Sequence, residues 1–186
     1  MSHLVLASGS PRRKELLTQL GYPFSVICTD VEEVRQANET AQQYVSRLSL
    51  DKAMAGVASA PAESVVIGSD TIVVCDQSVL EKPSDFAHAK QMLLQLSGRA
   101  HQVMTAVTVA TKQQQETVVV TTDVWFKPLS ELEIEQYWQS GEPCDKAGSY
   151  AIQGLGGRFV TRIEGSYHAV VGLPLFETDQ LLHKFL

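Results

Sequence analysis

Residues Ser8-Gly9-Ser10-Pro11-Arg12-Arg13-Lys14 place two hydroxyls, a glycine and three successive cations between an apolar run, Leu4–Ala7, and a helical pattern that ends at Gly21. Ser10 reads as the cap of that helix and Pro11 as its first turn. The cations therefore enter where the helix dipole is already positive, at a cost of about 0.3–1 kcal/mol each. An anion removes the conflict. Helix N–H groups, the Ser8 and Ser10 hydroxyls and the guanidinium forks would then face phosphate oxygens. The alternative is that the long side chains splay into water. The Walker A spacing is absent, and Gly154-Leu155-Gly156-Gly157 lacks the spacing and the following helix of a dinucleotide fingerprint.

Asp70 is a second departure from local rules, because it interrupts the apolar runs Val65–Ile67 and Ile72–Val74. A buried carboxylate needs solvent, a cation or a metal, unless the position is a bulge whose side chain points outward. Glu32 and Glu33 lie in an acidic loop that is either simply solvated or, with Asp70, a source of oxygen ligands for a hard divalent cation. Lys52 falls beside the apolar face of a long helix, and Lys82 follows the Asp70 strand; each can snorkel to solvent or meet phosphate. Lys146 and Gln153 share a glycine-rich loop, and the amide of Gln153 has the donor and acceptor to pair with a uracil or thymine edge. Clustered cations and carboxylates, without a Ser/His or Cys/His constellation, point to metal-assisted chemistry on a polyphosphate.

The elements that must position these groups follow from periodicity. Leu4–Ala7 reads as a buried strand, and Phe24–Thr29 as a second. A helix is expected over Thr40–Ala58 with Tyr44, Val45, Leu48 and Ala55 near one face, then a strand over Ser64–Cys75. A helix capped by Ser84 and closed by Gly98 should bury Ala89, Met92, Leu93 and Leu96. Two Val- and Thr-rich strands come next, from His101 and from Glu116. Ser130–Glu133 reads as a capping box, the segment Asp145–Pro174 as two short strands with turns, and Leu175–Leu186 as a last helix. Early alternation of helices and strands, then consecutive strands, predicts an α/β protein with a mixed sheet.

Bulk properties narrow the partners. A chain of 186 residues should bury roughly 70% of its unfolded surface. The net charge of −6 argues against nucleic-acid or anionic-membrane binding, so any basic site is local. The three cysteines are far apart and the five histidines scattered, which fits reduced thiols and no His-based metal site. With no signal-peptide pattern and no apolar run long enough to span a membrane, a cytoplasmic protein is expected.

The motifs LASGSPRRKELL, GSDTIV, EKP, LSGRAHQVMTAV, DKAGSYAIQG and GLPL, in this order along nearly the whole chain, resemble the Maf family of nucleoside triphosphate pyrophosphatases. The resemblance implies one domain over residues 1–186. Its fold would be an elongated mixed sheet with flanking helices, two lobes around a central cleft, related to inosine triphosphate pyrophosphatases. It implies cleavage between the α and β phosphates with a divalent metal (Mg, Mn or Co). Asp70 becomes the proton acceptor for the attacking water, and Glu33, with Asp70, a metal-side carboxylate. Ser8, Arg12, Arg13, Lys52 and Lys82 become phosphate-side residues, joined at the substrate by Lys146. The form with Thr71 and Gln153 resembles the dTTP/UTP-hydrolysing subgroup, with Arg12, Thr71 and Gln153 selecting the base. A house-cleaning pyrophosphatase for dTTP, UTP and modified pyrimidine nucleotides is the first reading. The alternative is a nucleotide-binding regulator of septum formation with little turnover. Monomer and homodimer both stay open.

Overall fold

β1 (His3–Leu6) lies parallel to β2 (Phe24–Val26) on one side and to β3 (Ser64–Cys75) on the other. α1 (Pro11–Gln19) and α2 (Ala41–Ser59) lie in the crossovers that parallel pairing requires. β3, β5 (Ala100–Ala110), β6 (Gln115–Phe126) and β7 (Val160–Glu164) then pair antiparallel in turn, and β4 (Ser78–Leu80) folds back on the end of β3. The computed structural model, which describes residues 3–186, is thus a seven-stranded mixed sheet of order β2-β1-β3-β5-β6-β7 with flanking helices. This is the fold class expected from the sequence. Among the described residues no helix is long and apolar enough to cross a membrane.

β3 threads two apolar cores. Val65 and Ile67 pack with Leu6, Leu17 and Leu182 in one. Val73 and Cys75 pack with residues of α3 (Phe86–Leu96) and α4 (Glu131–Gln139), such as Leu93 and Ile134, in the other. Each such fully buried side chain contributes about 1.5–3 kcal/mol. α2 covers the opposite face of β3, with Tyr44 and Leu48 against Ile72 and Val74, and Ala53 and Val57 against Val66.

Between the cores the sheet edge splits. β1 pairs with β3 as far as Ile67 and β4 pairs from Val73, so Gly68–Ile72 pair with β5 alone. Side chains alternate along the open stretch. Asp70 faces α2, and Thr71 faces the side where α1 and α5 (Tyr167–Val171) meet.

Several local expectations change. β2 stops at Val26, opposite Leu6, because β1 turns into α1 there and offers no further strand partner. Asp85, not Ser84, caps α3: its Oδ1 accepts from His88 N at 2.8 Å, while Ser84 turns its hydroxyl to the His88 ring. The hairpin to β4 turns on Asp76 and Gln77, at φ 49° and 65°, a left-handed pair made without the glycine that normally signals it. The glycine-rich segment holds one strand rather than two. Tyr167–Val171 is a short helix because the Ser166 hydroxyl accepts from Ala169 N at 3.1 Å. On α2 the buried stripe continues through Ala53, Gly56 and Val57, leaving Ala55 half-buried. The Ser130–Glu133 capping box and the final helix α6 (Leu175–Phe185) form as expected.

Candidate active site

A cleft of about 510 Å³ opens at the split edge, a size suited to a small ligand. The turn after β1 supplies one wall. Ser10 caps α1, accepting from Arg13 N at 3.4 Å, and Ser8, buried below it, accepts from Ser10 N at 3.1 Å. Of the three cations, Arg12 and Arg13 line the cleft, whereas Lys14, further round the helix, is exposed outside it. Arg13 is fixed. Its Nε donates to Gly172 O at 2.7 Å and its Nη2 to Thr71 Oγ1 at 3.0 Å. Thr71 is held in turn by Thr105 Oγ1 at 2.9 Å, which donates to Ala169 O.

Asp70 forms the floor and is only 6% exposed. Lys52, projecting from α2, places Nζ 2.5 Å from Asp70 Oδ1 and 2.9 Å from Glu33 Oε1. Lys82 approaches Glu33 Oε2 at 3.7 Å from the β4 side. The loop carrying Glu33 is tied to α2. Tyr44 OH donates to Glu33 O at 3.1 Å, and Arg47 donates to Val34 O at 2.8 Å and to Glu39 Oε1 at 2.7 Å. Lys146, paired with Asp145 at 2.5 Å, and Gln153 line the opposite wall. Glu32 is exposed and lies outside the lining.

Burial raises the Asp70 carboxyl above its ordinary value and outweighs the opposing charges of Lys52 and Arg13. For Glu33 the balance reverses: burial pushes it up, but the hydrogen bond from Lys52 and the charges of Lys52, Lys82 and Arg13 hold it below its usual range. Two neighbouring carboxylates thus differ in proton affinity, the arrangement by which a site separates a base from a permanently charged ligand group.

Ser8, Arg12, Arg13, Glu33, Lys52, Asp70, Thr71, Lys82, Lys146 and Gln153 therefore meet at one cleft, whereas Lys14 and Glu32, also singled out from the sequence, lie outside it. Sequence reasoning missed Glu81 and Tyr44, which also line it. Glu81 is raised by burial and by the charges of Asp70 and Glu33. The signal for it was its place directly before Lys82; Tyr44 was hidden because its ring fits the apolar stripe of α2.

The family described as Maf-like protein matches residues 3–185. The dTTP/UTP pyrophosphatase of Vibrio parahaemolyticus is 74% identical over 183 residues, 98% of this chain and 97% of the relative. That of Salmonella typhimurium is 59% identical over 185 residues, 100% of this chain and 94% of the relative. Among solved structures, the Staphylococcus aureus Ham1 protein aligns with 67% of this chain and 72% of its own, at 16% identity and a TM-score of 0.46.

Proposed function

This chain belongs to the Maf-like protein family, and from that membership and the chemistry of the cleft we propose that it hydrolyses dTTP and UTP to the monophosphate and pyrophosphate. The observation that carries the reading is a buried carboxylate, Asp70, in the middle of a cleft lined by Arg12, Arg13, Lys52 and Lys82. The guanidinium of Arg13, pinned at Nε and Nη2, keeps donors free for phosphate oxygens at a fixed place. Ser8, Arg12 and Lys82 complete the phosphate side, and Lys146 serves the substrate from the facing wall. At the start of α1 Pro11 has no N–H and those of Ser10, Arg13 and Lys14 are already bonded, which leaves the Arg12 N–H as the neutral donor. Asp70, whose proton affinity is raised by burial, takes the proton of the attacking water at its carboxylate. Phosphates draw Lys52 away from Asp70, which frees Oδ1 for that proton. Gln153, assisted by Arg12 and Thr71, reads the pyrimidine edge through its amide.

The residues present fit a divalent cation. Asp70 and Glu33 converge on one positive centre, with the Lys52 ammonium 2.5 and 2.9 Å from their oxygens, and an all-oxygen donor set suits Mg²⁺ or Mn²⁺. Among the described residues no three His, Cys, Asp or Glu side chains form a cage, so phosphate oxygens and water would complete the coordination. When bound, such an ion neutralises phosphate charge and polarises the phosphoryl oxygen.

The test is turnover of dTTP and UTP with Mg²⁺ or Mn²⁺, read by malachite green with and without added inorganic pyrophosphatase. Phosphate colour should depend on the added enzyme, and Asp70→Asn should abolish it while nucleotide binding survives. Colour without the added enzyme, or normal turnover by Asp70→Asn, would overturn the reading. Absence of turnover with tight nucleotide binding would make the chain a binder rather than an enzyme.

A further inference from the structure

The motif Gly154-Leu155-Gly156-Gly157, which fits no nucleotide fingerprint, is the receptor for a carboxylate of the protein itself. Glu142 opens the 3₁₀ turn Glu142–Asp145 after α4. Its Oε1 accepts from Leu155 N at 3.2 Å and its Oε2 from Gly156 N at 3.0 Å. Two consecutive N–H groups thus cradle one carboxylate, a nest of the kind that binds external anions. The glycines make room for it. Gly154 has φ +95°, and a Cβ there would run into Glu142 Oε1; at Gly156 a Cβ would lie 2.6 Å from Tyr137 OH.

Tyr137 secures the other end of the same loop. Its ring is fully buried, edge-on to Phe159 with centroids 5.0 Å apart, and its OH accepts from Ala151 N at 3.1 Å. Ile152 packs against the core that contains Leu6 and Ile67. Ala151, Ile152, Leu155 and Gly156 are thus all anchored, and Gln153, between them, lines the cleft. Exposed loop N–H groups are satisfied by water at little cost. A charged acceptor that binds two of them, and requires glycines to approach, is the stronger and more directional solution.

We infer that Glu142 and Tyr137 are positioning residues for base selection, clamping both ends of the Ala151–Gly156 loop so that Gln153 meets the pyrimidine at a fixed distance. The inference rests on the reading of Gln153 as the base-facing amide. Its test compares kcat/KM for UTP and CTP, whose bases present opposite donor and acceptor patterns at one edge, in Glu142→Ala, Glu142→Gln, Tyr137→Phe and Gln153→Ala. Loss of a charge-assisted hydrogen bond corresponds to about one power of ten. Glu142→Ala should lower the UTP:CTP ratio about tenfold, with the change carried by KM for UTP. Glu142→Gln, which keeps an oxygen acceptor, should recover most of it, and Tyr137→Phe should lower the ratio about threefold. Tyr137→Phe removes one hydroxyl from a packed ring and decides the matter alone if Glu142→Ala does not fold. A ratio unchanged in Glu142→Ala and Tyr137→Phe, while Gln153→Ala collapses it, would overturn the clamp and leave the base reading standing. Equal losses for UTP and CTP would also overturn it, as a purely structural role. A ratio unchanged in Gln153→Ala would remove the base reading itself and the clamp with it.

Discussion

Gly68→Ala should separate the two sides of the site without touching either. Gly68 lies two residues before Asp70 on β3, where the backbone of α2 crosses in direct contact. An added Cβ would sit 2.5 Å from Ala53 N, 2.9 Å from Ala53 Cα and closer still to Ser49 O. All are backbone atoms, so no rotamer change relieves the overlap. Ordinary contact begins near 3.4 Å, which requires α2 to retreat by about 1 Å, with an overpacking cost of about 1–3 kcal/mol. The retreat also stretches the seam in which Ser49 Oγ bonds Gly68 O at 3.1 Å and Thr108 Oγ1 at 2.8 Å. Lys52 rides on the same turn of α2, so its contact with Asp70 opens by a similar amount. A misplacement of about 1 Å in a catalytic constellation costs on the order of 10²-fold in rate. The assay is kcat/KM for dTTP beside the thermal unfolding midpoint, with Leu182→Ala as a control. Leu182 is fully buried on α6, and its truncation costs about 2–5 kcal/mol while leaving the α2–β3 seam alone. Gly68→Ala should lose activity far beyond its loss of stability, and Leu182→Ala the reverse. A Gly68→Ala protein with lowered Tm and intact kcat/KM would refute the claim that helix–strand spacing sets the site.

Further perturbations test the other supports. Thr71→Val keeps the shape of the side chain but leaves Arg13 Nη2 without its acceptor, so stability should fall by about 1–3 kcal/mol and KM should rise; unchanged Tm and KM would show that Arg13 is held otherwise. Asp70 has its carboxyl raised by burial, so the native chain binds this proton more tightly than the unfolded one and stability falls as pH rises through the titration. Asp70→Asn should therefore melt higher than the unsubstituted protein at pH 8, with the gap closing as pH drops into the carboxylate range; a lower melting point at pH 8 would contradict this. Glu39 is held down to about 2 by the Arg47 hydrogen bond, so its support for the Glu33 loop is present above the ordinary carboxylate range and lost as pH falls toward 2. Hydrogen-exchange protection over residues 33–39 should survive at pH 4 and weaken below it, and Glu39→Gln should weaken it at neutral pH; protection indifferent to both would remove Arg47 as the anchor.

What the sequence disclosed and what it hid have different physical causes. Arg12, Arg13 and Asp70 were legible because each breaks a local rule, and a broken local rule needs a tertiary reason. Lys14 breaks the same rule and points to solvent, since neighbouring helical positions face different directions. Tyr44 obeys the apolar pattern, so nothing local revealed that its hydroxyl supports the Glu33 backbone. Glu142 was silent for the opposite reason. A carboxylate after a helix end is ordinary, and its meaning comes from Leu155 and Gly156, thirteen and fourteen residues later. The sheet was readable from its Val- and Thr-rich runs, but the gap between β1 and β4, which creates the cleft, depended on a glycine-free turn at Asp76-Gln77.

The placement of the groups also explains which parts of the specificity are free to vary. Asp70 stands on a strand paired with β5 and packed under α2, both held by backbone contacts at Gly68. Arg13 is bonded to β3 and to the residue after α5. On the proposed reading, chemistry common to every nucleoside triphosphate, the phosphates and the attacking water, thus falls to residues fixed by strand pairing, backbone contact and hydrogen bonds. Such a position tolerates a buried carboxylate only because the surrounding packing supplies the stability that Asp70 removes. On the proposed reading the base is met by a loop that Tyr137 and Glu142 hold from outside the sheet. Substitutions in that clamp should move Gln153 without moving Asp70. A change of base preference therefore needs no alteration of the hydrolytic centre, whereas any change in the α2–β3 seam affects all substrates alike.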